Sequence, residues 1–432
     1  MLEIAIVFLN FFDRGFTKRK KCPIIYMIKI SEVGMKKKIL VIGITMAAAG
    51  SEKSFLSFAT HAIDYNQYEV DLLLAKKEGD FLEKIPKEIR VLDMGDMGEI
   101  FLLNRKNASS IIIRKYLAKN PFRAFSLAPH MLKRLFARNA DSKIFAAQRM
   151  WLELMKKMPV FEKEYDIALA YWGDRTMFYM VDKVKAAKKI AWLHFDYGKP
   201  PREDALYEKY FSACDKVVTV SSEIERSLKN ALPRVAEKVV TVENVIDREE
   251  ILRLAEEKAE FGDDFDGVRI VTVGRICEQK GYDLAVPAVA RLRAEGYAIR
   301  WYILGKGDAE EEAALMEKIR TCGAEDFIQI LGVRKNPYPY INEADIYMQP
   351  SRHEGKPIAV EEAKILRKPI VVTSYTSAAE QMKDYPIYRM TSISEEGIYS
   401  ALKEMLAVKL SEGGFPEEDV RDYKQILERL IL

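Results

Sequence analysis

The chain has 432 residues, close to half of them apolar, and a formal charge of +3. That length allows roughly two to three domains with sizeable cores. No apolar run is long enough to span a membrane. The four cysteines, Cys22, Cys214, Cys277 and Cys322, lack metal-ligand spacing and fit a reducing cytosol. The small net charge hides an asymmetry. Between Arg105 and Lys163 there are 14 Lys/Arg against Asp141, Glu153 and Glu162, a local balance of +11 that leaves −8 for the remainder.

Residues 1–34 carry an apolar run, Ile4 to Phe12, followed by the basic cluster Lys18 to Lys21. A signal peptide has the reverse order and a small-residue cleavage site. A second start at Met35 leads through Lys36–Lys38 into a strong strand, Ile39–Ile44. The expectation is therefore a non-native or disordered extension over 1–34. The competing reading, a membrane-dipping anchor, has only a short apolar run to work with.

Strand and helix patterns then alternate. Strands are expected at Ile39–Ile44, Glu69–Leu74, Ile89–Leu92, Asp166–Ala170, Lys189–His194 and Lys216–Val220, with helices at Glu52–Ile63, Asp174–Ala186 and Ser222–Ala231. The basic, aromatic-studded stretch 105–163 interrupts this rhythm as a helical insertion. A second block has strands at Arg269–Val273, Ala298–Leu304, Phe327–Leu331, Ile346–Gln349 and Pro369–Val372. Its helices are expected at Tyr282–Ala294, Glu310–Cys322 and Ile358–Leu366, with a junction helix at Glu249–Glu260. Such alternation predicts an α/β protein with two parallel-sheet domains facing a cleft. The expected boundaries are 35–247, 248–412 and a C-terminal helical segment 413–432. Ligands bind beyond the carboxyl ends of such strands.

The richest segment is Pro350–Pro369. Glu354 and Glu362 stand eight residues apart with a helix start between them, Pro357 suiting its first turn. Glu354 and Gly355 fall in the loop feeding the helix, and Glu362 about one turn inside. Free N–H groups at a helix start attract phosphate, and two carboxylates accept bonds from hydroxyls. A phosphorylated, hydroxyl-rich ligand such as a nucleotide sugar fits both. After Val273, Gly274 and Gly281 bracket Arg275 and Lys280, cations suited to a leaving pyrophosphate; alone, they read equally as solvated turn residues. Gly305-Lys306-Gly307 and Gly332–Asn336 are weak signals, more often turns.

In the first block, Ala49-Gly50-Ser51-Glu52 reads either as a phosphate-accommodating turn or as an ordinary turn capped by Ser51. His194, one of four histidines, ends a strand facing the cleft, where it can donate to substrate, exchange a proton or serve structurally. His61 and His130 fall in helices and receive no role. In the insertion, Lys115, Lys119, Arg123, Lys133, Arg134, Arg138, Lys143, Arg149, Lys156 and Lys157 interleave with Phe122, Phe125, Leu132, Phe136, Phe145 and Trp151. That surface suits anionic lipid headgroups, solvated helices being the equal alternative. No base-reading motif points to nucleic acid.

Val273–Gly281 resembles the VGR-x₄-KG signature of GT-B glycosyltransferases, and Glu354 with Glu362 the E-x₇-E pair of the retaining family-four enzymes, in a PSR-x-EG…EA context. The stretch through Val372 is similar to capsule and exopolysaccharide members. The resemblance runs from about Met35 to the C-terminus and implies two Rossmann-like domains around an interdomain cleft, with the final helix packing back on the first domain. It implies that Arg275 and Lys280 hold the donor diphosphate, Glu354 the transferred sugar and Glu362 the ribose. Gly50 would approach the diphosphate or acceptor, and His194 the sugar. Family members carry two adjacent glycines where Ala49-Gly50 stands. A glycine-containing segment usual after the last core strand is not recognisable between Thr373 and Arg389.

The reading that follows is a retaining, metal-independent glycosyltransferase using a UDP-, GDP- or ADP-sugar and a saccharide or lipid-linked acceptor. Its place would be the cytoplasm or the inner face of the cell membrane. A nucleotide-sugar 2-epimerase and a catalytically silent sugar-nucleotide-binding subunit are the alternatives.

Overall fold

The computed structural model describes residues 36–103, 108–117, 122, 124–137, 139–407 and 424–431. The expected extension 1–34, with Cys22, lies outside these residues. So do Arg105, Lys119, Arg123 and Arg138 of the basic insertion, and most of the segment preceding the last helix.

Unbroken apolar runs such as Ile39–Ile42, all fully buried, demand strands covered on both faces. The first sheet contains β1 (Lys37–Gly43), β2 (Tyr68–Leu74), β3 (Ile89–Asp93), β4 (Phe161–Ala170), β5 (Val184–Leu193), β6 (Lys216–Thr219) and β7 (Val239–Thr241). Its order is β3-β2-β1-β4-β5-β6-β7 with parallel pairings. The second contains β8 (Val268–Val273), β9 (Ile299–Leu304), β10 (Ile328–Gly332), β11 (Ile346–Gln349), β12 (Ile370–Thr373) and β13 (Tyr388–Thr391), ordered β10-β9-β8-β11-β12-β13. Each sheet reverses its strand order beside its first strand, at β1/β4 and at β8/β11. Such switch points open a crevice at the strand ends. The loops after β1, β4, β8 and β11 therefore border that crevice.

Two short edge strands, β7 and β13, have no sequence counterpart above. The helix expected over Asp174–Ala186 ends at Lys183, and Val184 opens β5. The Lys/Ala-rich start of β5 favours helix locally, but its ladder with β4 pairs Tyr165 with Ala186 and Ile167 with Lys188. Tertiary pairing overrides propensity there.

The helix Gly50–His61 buries Phe55 and Phe58 against the first sheet, where their rings meet Tyr171 and Trp192. The helix Lys424–Ile431 adds Leu427, Leu430 and Ile431 to the same core, beside Ile39, Val41 and Phe58. Lys188 Nζ also donates to the Ile431 carbonyl. The chain thus returns to the first domain after completing the second. Leu427 is 1% exposed, so Leu427→Ala is expected to cost about 2–5 kcal/mol in urea-induced unfolding. An unchanged transition midpoint would show that this helix contributes nothing to the core.

Candidate active site in the interdomain cleft

β8 ends at Val273, and the chain turns through Gly274–Gly281 into the helix Tyr282–Ala294. Gly281 lies at φ +66°, and a Cβ there would sit 2.1 Å from the Pro350 carbonyl oxygen. Glycine is needed for both reasons. The Arg352 N–H donates to Gln279 O at 2.7 Å, fastening this loop to the one after β11. As a result Lys280 Nζ reaches Glu354 Oε1 at 2.7 Å.

Glu354 is buried, and a buried carboxylate must be paired and hydrogen-bonded. Its Oε1 also accepts from Ser351 Oγ at 2.7 Å and Gln349 Nε2 at 3.2 Å. Oε2 has only a weaker contact, from Gln279 Nε2 at 3.3 Å. The helix Ile358–Ile365 follows, with Pro357 as its N-cap and no side-chain cap bond. Glu362, inside this helix, is 1% exposed. Its Oε1 accepts from Lys53 Nζ at 2.6 Å and Tyr338 Oη at 3.1 Å. Burial and then the Glu362 charge hold the Tyr338 phenol well above its ordinary range, so it stays a donor. Glu362 Oε2 is buried and has no hydrogen-bond partner. Both carboxylates therefore keep one oxygen with spare accepting capacity.

Two cavities open at the cleft. One, of about 390 Å³, is lined by Glu362, Lys53, Tyr338, Ile358, Asp247 and Lys335 among others. The other, of about 350 Å³, includes Trp172, Asp174, Arg202, Gln279, His353 and Gly355. Gly355 lies where the domains approach closely: a Cβ on it would be 2.4 Å from the His194 carbonyl oxygen. Further bonds cross the cleft. Thr376 Oγ1 donates to Asp196 Oδ2 at 2.6 Å, and Glu380 accepts from the Ser222 and Glu223 N–H groups at 3.0 and 2.9 Å.

His194 follows β5 and packs against Tyr171 and Trp192, the Trp192 ring lying 4° from parallel. Its Nε2 is buried without a hydrogen-bond partner, and nearby Asn244 accepts from Ser54 Oγ at 3.0 Å and donates to Lys356 O at 3.3 Å. Burial pushes the imidazole down to about 4, with Asn244 opposing only part of that shift. At neutral pH it is an uncharged hydrogen-bonding group. A base that titrates so low is a poor proton acceptor near pH 7.

Arg275 is exposed and makes no hydrogen bond among the described residues. Its charge reaches Glu52, a buried acid whose carboxyl is pushed up by burial, against bonds including that from Ser51 Oγ at 2.6 Å. Ser51 therefore lies inside the first turn and bonds Glu52. Ala49 is the N-cap, with no side-chain cap bond. A Cβ on Gly50 would meet only Ile358 Cδ1, at 3.8 Å, so space alone does not require glycine there. Gly305 is explained by packing, since its Cβ would fall 1.8 Å from the Gly274 carbonyl oxygen. His61 pairs with Asp247 at 2.8 Å. Among the described residues, no group of three or more His, Cys, Asp or Glu side chains could hold a metal ion.

The structure thus brings Lys280 to Glu354, and sets Gly355 against the His194 backbone. Lys53, Tyr338 and Gln349 escaped the sequence reading as site residues, and Glu52 entered it only as part of the turn Ala49–Glu52. Glu52 has a faint local signal as an acid just inside a helix at a switch point. Lys53 has none, because its partner lies 309 residues away.

Residues 267–407 match the family model described as glycosyl transferases group 1. The match falls within the second domain, which is similar to that family. An amylovoran biosynthesis glycosyltransferase, AmsK of Erwinia amylovora, is 30% identical over 155 residues, covering 34% of this chain and 36% of that protein. A Campylobacter jejuni enzyme is 28% identical over 165 residues, 38% of this chain and 43% of its own. It is named as an N-acetylgalactosamine-N,N'-diacetylbacillosaminyl-diphospho-undecaprenol 4-alpha-N-acetylgalactosaminyltransferase. The chain spans about half the length, or less, of the curated relatives it matches. Among solved structures, Anabaena Alr3699/HepE in complex with UDP and glucose aligns with a TM-score of 0.57 at 14% identity, covering 86% of this chain and 90% of that one. The two sheets with their covering helices together form the GT-B fold.

His194 offers a test of the site's electrostatics. Its folded value lies below the ordinary 6.5 of an unfolded histidine. Its contribution is therefore complete above about pH 6.5 and is lost as pH falls towards 4, because the unfolded chain binds the proton first. Wild type should lose about 3 kcal/mol more than His194→Gln across that window. Equal pH slopes in chemical denaturation would contradict the burial of this ring.

Proposed function

We propose that this chain is a retaining glycosyltransferase that moves a sugar from a nucleotide-sugar donor to a saccharide or lipid-linked acceptor, in surface polysaccharide or glycolipid assembly. The observation that carries the reading is the pair of buried carboxylates, Glu354 and Glu362. Each is neutralised by a lysine; Glu362 keeps Oε2 without a partner, and Glu354 Oε2 takes only the 3.3 Å bond from Gln279. The relatives named above support transfer over epimerisation.

In this reading Glu362 Oε2 accepts from a ribose hydroxyl and Glu354 Oε2 from the transferred sugar. Arg275 and Lys280 neutralise the diphosphate, with Gly274 and Gly355 allowing close approach and the Gly50 helix start facing it. His194 contributes a hydrogen bond to the sugar. The bond from the anomeric carbon to the phosphate oxygen breaks as the acceptor oxygen attacks from the same face. The departing diphosphate takes the acceptor's proton, so anomeric configuration is kept and no enzymic nucleophile is required. The rate enhancement then rests on positioning and on stabilising the leaving group's charge. The donor base, UDP, GDP or ADP, is the open choice that a thermal-shift screen of nucleotide sugars resolves, since ligands of the folded state raise apparent stability.

We also assign an anionic membrane surface as a partner. The helix Ala124–Leu135 and its neighbours leave Phe122, Phe125, Leu132, Leu135 and Phe136 between 53% and 76% exposed. Lys133 and Arg134 accompany them without an ion pair among the described residues. A second copy of the chain would bring like charges together, whereas anionic headgroups complement them. Among the described residues no helix is long and apolar enough to cross a membrane. The interaction would therefore be peripheral, on the inner face.

Lys280→Ala and Glu354→Ala should each lower sugar transfer about 100-fold or more; full activity in both would refute the site. Co-sedimentation with phosphatidylglycerol vesicles should exceed that with phosphatidylcholine and weaken with salt. Binding insensitive to both would remove the membrane surface from the account.

A further inference from the structure

Lys53 stands at the first domain's switch point, three residues inside the helix Gly50–His61, yet its ammonium contacts Glu362 of the second domain. We propose that Lys53 is a positioning residue of the donor site: across the cleft it fixes Glu362 with Oε1 engaged, leaving Oε2 to receive a ribose hydroxyl of the nucleoside diphosphate. This rests on the reading of Glu362 as a ribose contact.

Three observations carry it. The pair is unequal in burial, the Lys53 side chain being 21% exposed and that of Glu362 2%. The lysine thus supplies charge to an acid that is held out of water. Second, Glu362 is over-supplied on one oxygen and bare on the other. Lys53 and Tyr338 both donate to Oε1, while buried Oε2 has no partner. A purely structural ion pair gains little after desolvation, and leaving Oε2 bare adds a further cost. Third, Lys53, Tyr338 and Glu362 line the same cavity of about 390 Å³, and Lys53 Nζ lies 4.9 Å from the Tyr338 ring centroid. These contacts hold the ammonium in one place. A diol entering the cavity finds an acceptor already charged and oriented, with no competing donor to displace. Because the lysine and the glutamate come from different domains, this part of the donor site is complete only when the cleft is formed.

The test is calorimetric titration of the full-length wild type, Lys53→Met, Lys53→Gln, Lys53→Arg and Glu362→Gln with UDP, GDP and ADP, alongside steady-state kinetics in the matching nucleotide sugar. Lys53→Met should weaken nucleotide binding about tenfold or more, the scale of a charge-assisted hydrogen bond. It should raise donor KM while kcat at saturating donor stays within about threefold, since the interaction serves ground and transition state alike. Lys53→Arg should restore most of the affinity. Lys53→Gln keeps a neutral donor on a side chain one atom shorter, so it reports on loss of the charge even if the methionine variant folds poorly; it should remain weakened. If the Lys53 variants bind like wild type while Glu362→Gln binds weakly, Lys53 is only a bridge and the proposal fails alone. If Glu362→Gln also binds like wild type, the ribose reading fails with it.

Discussion

The site is organised by the need to pair buried carboxylates. Glu354 and Glu362 are both removed from water, where an uncompensated charge is prohibitively costly. Glu354 is neutralised from within its own domain by Lys280, and Glu362 from the opposite domain by Lys53. Much else follows from these pairings. Gly281 must be glycine so that the loop carrying Lys280 can lie against Pro350, and Gly355 must be glycine so that the second domain can reach the His194 backbone. The cleft is as much an electrostatic construction as a steric one.

Topology supplies the stage. Each parallel sheet reverses beside its first strand, so the loops after β1, β4, β8 and β11 converge where the domains meet. Those loops deliver the Gly50 helix start, the Asp174 region, Arg275 with Lys280, and Glu354 with Gly355. Around them, bonds from Thr376 to Asp196 and from the Ser222 helix start to Glu380 tie the domains at several points. The helix Lys424–Ile431 adds an apolar connection by joining the first domain's core.

What the sequence revealed divides along a physical line. Local chemistry was legible: the helices Ser222–Ala231 and Tyr282–Ala294, the strand Ile346–Gln349 and the helix start after Pro357 all stand where periodicity and turn residues put them. The Glu354–Glu362 spacing and the cations after β8 were visible for the same reason. Long-range effects were not. No local pattern links Lys53 to Glu362, or gives Tyr338 its place on the same carboxylate. The helix expected over Asp174–Ala186 failed at Val184 because strand pairing, not propensity, decides that segment. For His194, sequence allowed proton exchange or hydrogen bonding. The enclosure by Tyr171 and Trp192, which pushes its pKa down to about 4, favours the second at neutral pH.

The most direct test of the central claim is a crystal structure of the full-length protein with a non-transferable nucleotide-sugar analogue. The account predicts a ribose hydroxyl within about 3 Å of Glu362 Oε2 and a sugar hydroxyl at Glu354 Oε2, with the diphosphate against Arg275 and Lys280. A nucleotide bound elsewhere, or one in this cleft that leaves Glu362 Oε2 without a partner, would contradict it.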